Sequence, residues 1–144
     1  MFNPSRDQAR RFLVAAWKKR RDKLPATPLE VIAADIVAMH PEYHALLDSG
    51  EDALARDWTP EQGEANPFLH LSLHLAIEEQ LSIDQPPGIR GAFESRLRRH
   101  GGHGERHAAL HDILECLGET IWRAQRDRQP LDAEAYLECT RRRP

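Results

Sequence analysis

The chain has no apolar run approaching the roughly 18 residues of a membrane-spanning helix, which excludes an integral helical membrane protein. Its opening, MFNPSRDQARRF, has no apolar stretch of the kind that directs secretion. The cytoplasm is therefore the expected location. There is no excess of positive charge. The formal net charge is −3, so the chain as a whole offers nucleic acid no attraction. Cysteine is scarce: only Cys116 and Cys139 occur. Without an export signal, reduced thiols are expected rather than a disulfide, and their wide separation is not a zinc-finger spacing. No segment shows the strict polar–apolar alternation of a half-buried strand.

What is present is a globular mixture, 40% hydrophobic and 30% charged in 144 residues. That length suits one helical domain, 1–144, with a real core. Prolines punctuate it as helix starts. Asn3-Pro4, Thr27-Pro28 and Asn66-Pro67 each place a good N-cap before proline at the first helical position. Helices are predicted over 4–23, from Pro28 to Met39, from Pro41 through Leu47, and for one turn over 52–56. Further helices are predicted over 67–83, 89–99 and 105–128, with a last one from Asp132. The stretch TPEQGEAN reads as loop, and DQPPG and RHGGHG as breaks. The fold class implied is all-α, an antiparallel bundle of about four main helices plus short ones. The clusters 18–21, 96–99 and 141–143 sit near helix ends, where cations complement the dipole.

Two segments can be superposed, HLSLHLAIEEQL from His70 and HAALHDILECLG from His107. His70 matches His107, His74 matches His111, and Glu78 matches Glu115. Residues four apart on a helix differ by about 40° in direction and about 6 Å in height. Each His/His/Glu set therefore climbs one side of its helix, within an apolar stripe marked by Leu73 and Ile77 or by Leu110 and Leu114. Imidazole and carboxylate are ligands that zinc, iron and manganese share. Burying four imidazoles without partners would be costly. The metal-ligand set expected is His70, His74, Glu78, His107, His111 and Glu115, holding one or two divalent transition-metal ions, with the histidines stronger ligands than the flanking glutamates.

Asp35 lies between Ile32 and Ile36 on the apolar side of the second helix. It is expected to pair with an arginine or a backbone amide, and a metal ion or a ligand histidine is the other option. His40 is expected at a helix end, since Pro41 breaks the register with His44. His44 and Glu119 are further ligand options. Glu79, Gln80, Asp84 and Arg90 surround the rigid turn at Pro86-Pro87-Gly88, where a plain connector with helix-end capping is favoured over a site mouth. Cys116 faces away from His107 and His111 and is excluded as a ligand.

The strings NPFLHLSLHLAIEEQLSIDQPPGIR, HDILECLGETIW and AYLEC resemble an uncharacterised bacterial family, domain of unknown function 1841, over nearly the whole chain. The resemblance implies a small proteobacterial cytoplasmic protein and carries no assigned activity. The shorter His-x3-Glu pattern at His74/Glu78 and His111/Glu115 is similar to a hemerythrin di-iron motif, and the resemblance places none of the remaining hemerythrin ligands.

These residues specify a ligand set rather than a reaction. One expectation is a metal-binding bundle. It would serve hydrolysis, with Glu79 as general base, or di-metal redox or oxygen chemistry. The alternative is a non-enzymatic interaction or scaffold protein whose histidines are structural or line a homodimer interface. Trp17, Trp58 and Trp122 would then be interface residues, although core packing is the default for a tryptophan. The expected partners are a small-molecule substrate or a second copy of the chain, with no membrane.

Overall fold

The computed structural model describes residues 6–56 and 66–143. Among them are eight α-helices and no strand. They are α1 (Arg6–Arg21), α2 (Pro28–Ala38), α3 (His44–Asp48), α4 (Glu51–Ala55), α5 (Pro67–Ile83), α6 (Ile89–Arg99), α7 (Arg106–Asp127) and α8 (Ala133–Arg142). Short 3-10 turns at Pro41–Tyr43 and His103–Glu105 precede α3 and α7. The all-α class is as the sequence implies. The N-cap expected at Asn3-Pro4, most of the TPEQGEAN loop and Trp58 lie outside the described residues.

The helix ends show why these boundaries form. Thr27 accepts a hydrogen bond from the Glu30 backbone N–H, and the Glu30 carboxylate accepts from the Thr27 N–H, a complete capping box before Pro28. Lys19 also donates to Glu30 at 2.6 Å. That bond, joined by the one from Thr27, holds the Glu30 carboxyl below its usual range. Asn66 accepts from the N–H groups of Phe68 and Leu69 and so caps α5. Asp132 accepts from Ala135 and caps α8.

The chain divides into two compact units, one ending at Leu75 and the other beginning at Ala76. In the first, α1 packs against α2, α3 and α4. Its core holds Leu13, Trp17, Ile36, Val37, Leu47, Phe68 and Leu71. Trp17 also donates to Asp48 at 2.9 Å, so this tryptophan is a core residue with its polar edge satisfied. Arg10 is buried beside Phe68 and donates to the Leu54 and Arg56 carbonyls, which ties the end of α4 to α1.

In the second unit α6, α7 and α8 pack against one another. Ile89, Leu110, Ile113, Leu117 and Tyr136 are buried. The Tyr136 hydroxyl donates to Gln80 at 2.7 Å, and burial pushes its pKa upward. Arg96 is the buried clamp of this unit. It donates to Asp112 at 2.8 Å and to the backbone carbonyls of Thr140 and Arg143. Its neighbours in sequence fit the dipole reading of their cluster, but Arg96 itself anchors the end of α8.

One expectation is corrected. Cys116 and Cys139 are joined in a disulfide, not held as reduced thiols. The expectation rested on compartment alone, through the missing export signal. Folding α8 back along α7 brings their Cα atoms to 5.7 Å, within bridging range.

The connector also resolves in detail. Asp84 accepts from the Gly88 and Arg90 N–H groups, and Arg90 donates to the Leu81 and Ser82 carbonyls at the end of α5. These are the helix-end capping contacts favoured from the sequence. The Gln85–Pro86 peptide is cis.

Candidate metal centre

The histidines of the first motif meet His40, the residue expected at a helix end. His40 follows the last turn of α2, and its side chain is buried. Its Nδ1 lies 2.7 Å from the Ile36 carbonyl oxygen, and its Nε2 lies 3.1 Å from His70 Nε2. A carbonyl only accepts, so Nδ1 of His40 carries the proton. In the neutral ring, Nε2 then presents its lone pair toward His70. Ligand histidines in metal sites are commonly oriented by such a bond from the other ring nitrogen.

His70 and His74, one turn apart on α5, have ring centroids 4.9 Å apart. His40 stands 4.9 Å from the His70 ring and 4.8 Å from that of His74. One ligand nitrogen from each of His40, His70 and His74 lies within 4.8 Å of the others, a grouping that could hold a metal ion. His74 is fully buried and His70 half-buried. Tyr43 walls the group, stacked on His40 at 5.5 Å and edge-on to His70 at 6.0 Å. Burial, with the Glu42 charge beside it, raises the Tyr43 pKa and keeps the phenol neutral.

The position of His40 had a sequence signal. Ala33, Ile36, Val37 and His40 fall at helical spacing, and all four are buried. Pro41 breaks the register only after His40.

In the second motif the His107 and His111 rings pack edge to face at 4.2 Å. The two glutamates are engaged by arginines. Glu78 binds Arg106 through both oxygens, at 2.8 and 2.9 Å. Glu115 is exposed and pairs with Arg143 at 2.6 Å.

The remaining options fall elsewhere. Asp35 is exposed rather than on the buried face, and it pairs with Arg20. That pairing is the arginine partner favoured for it. His44 directs Nε2 to the Val37 carbonyl at 2.9 Å and packs on Trp17. Glu119 pairs with Arg123 one turn along α7. Cys116, bonded to Cys139, has no thiolate to offer. Glu79 is half-buried.

Chemically, His40, His70 and His74 offer imidazole nitrogens in a largely buried setting. Such a set suits zinc, copper, iron or nickel and disfavours magnesium and calcium, which prefer oxygen. No curated protein and no solved structure matches the chain. A family model described as Domain of unknown function (DUF1841) matches residues 5–142, and the chain belongs to that family.

Proposed function

We propose that this protein binds a divalent transition-metal ion through His40, His70 and His74. The observation carrying the reading is the 3.1 Å separation of the His40 and His70 Nε2 atoms, with His40 Nδ1 already committed to Ile36. Two imidazole nitrogens bound to one tetrahedral zinc at about 2.05 Å stand roughly 3.3 Å apart. The spacing is therefore near that of two ligands sharing an ion.

Three imidazoles leave a tetrahedral ion one position for water, the arrangement that acidifies water for hydrolysis. A carboxylate-bridged di-metal centre has less support, because Glu78 and Glu115 would first have to leave Arg106 and Arg143. On the strength of the sequence echo, His107 and His111 stay in the proposal as a second ligand pair. The bacterial cytoplasmic setting is likewise part of the proposal.

A second reading has one specific observation behind it. An N–H···N hydrogen bond between His40 and His70 would also span 3.1 Å. The rings would then be a structural network in a scaffold or interaction protein.

Thermal unfolding of the untagged, metal-stripped protein separates the two. Zinc at 100 times its Kd should add about 2.7 kcal/mol, which raises Tm by several degrees. Magnesium should add nothing. His40→Ala/His70→Ala should abolish the zinc effect, and His107→Ala/His111→Ala tests the second pair separately. A Tm unmoved by zinc, iron or manganese would favour the structural network instead. That network predicts variants that lose stability or change oligomeric state with or without metal.

A further inference from the structure

We infer that the Cys116–Cys139 disulfide is a thiol-exchange site, attacked at Cys139 and opened by departure of Cys116. The two sulfurs differ in access. Cys116 is fully buried on α7. Cys139 is half-buried on α8 and lines an open groove of about 420 Å³, which Cys116 does not line. An incoming thiol therefore reaches Cys139 first.

They also differ in electrostatic surroundings. Arg143 Nε lies 3.4 Å from Cys116 Sγ. A Glu119 carboxylate oxygen lies 4.0 Å from Cys139 Sγ. A neighbouring guanidinium stabilises a thiolate and makes it the better leaving group, whereas a carboxylate opposes charge on its neighbour. Both contacts polarise the bond in one direction, with negative charge developing on Cys116. The groove itself carries Arg123, Arg142 and Arg143 against Glu119 and Glu138, so it does not repel an anionic thiol.

The exchange balances as two displacements. A small-molecule thiolate bonds to Cys139 Sγ, the sulfur–sulfur bond breaks, and its electron pair leaves on Cys116 beside Arg143. A second thiolate then attacks the bound thiol's sulfur and forms a small-molecule disulfide. Cys139 departs as thiolate, and both protein sulfurs take protons from solvent. Two thiols are oxidised and one protein disulfide is reduced. The helices need not separate meanwhile. Arg96 still holds the Thr140 and Arg143 carbonyls, and Tyr136 still binds Gln80.

The test follows reduction of the oxidised full-length protein by glutathione without denaturant, with alkylation of freed thiols and mass mapping. The disulfide should open while the helical circular-dichroism signal persists. Oxidised glutathione should form an adduct at Cys139 in Cys116→Ser protein and none at Cys116 in Cys139→Ser protein. Arg143→Gln should slow the opening about threefold to tenfold, and Arg143→Lys, which keeps the cation, should recover most of the rate. A disulfide reduced only after unfolding would overturn the inference. So would glutathione mapped to Cys116, or an Arg143→Gln rate equal to wild type.

Discussion

Asp112 shows how much one side chain carries in the second unit. Its Oδ2 accepts from Arg96 at 2.8 Å and contacts His100 Nε2 at 2.6 Å. Partial burial works against the carboxylate, but the hydrogen bonds from His100 and Arg96 outweigh it and leave the Asp112 pKa lowered. A carboxyl with a depressed folded-state pKa contributes stability above its unfolded pKa, near 3.9. That stability is lost as pH falls through the folded value. Asp112→Asn should therefore cost about 2–3 kcal/mol at neutral pH, because Arg96 is left buried without its countercharge. Urea titrations from pH 7 down to pH 2 check this. The difference between wild type and variant should shrink only below about pH 4. Sequence offered no route to the pair, since Asp112 is 16 residues from Arg96 and nothing local marks either as buried.

Among the elements, boundaries were legible because their causes are local. The predicted 67–83 and 89–99 helices coincide with α5 and α6. Asn66, Asp84 and Gly88 act on backbone groups only a few residues away. The Thr27–Glu30 capping box is the clearest case. Thr27→Ala should lower stability by about 1 kcal/mol, read as a shift in urea midpoint with unchanged slope. A shift within error would mean that Pro28 and the packing of α2 on α1 set that end alone. Contacts between elements were less legible. His40 closes the buried stripe of α2, yet its partners His70 and His74 are 30 or more residues away. The disulfide was set aside on compartment, and nothing local opposed that: 23 residues separate the cysteines along the chain, and only the return of α8 along α7 brings them together. Trp122, by contrast, remains exposed beneath Arg126.

For the whole molecule, the sequence identifies the DUF1841 family, and no helix among the described residues is long and apolar enough to cross a membrane. The histidines were legible as ligand types because their spacing within each helix is local. The glutamates at the same spacing are held by arginines, a competition that spacing cannot reveal. The central claim is that His40, His70 and His74 form a metal site. Elemental analysis of the untagged protein, purified without chelator and dialysed, tests it most directly. The account predicts about one equivalent of zinc or another transition metal per chain, lost in His40→Ala/His70→Ala/His74→Ala protein that keeps its helical signal. Metal-free wild type that takes up none of these ions, or a variant that retains the full equivalent, would contradict it.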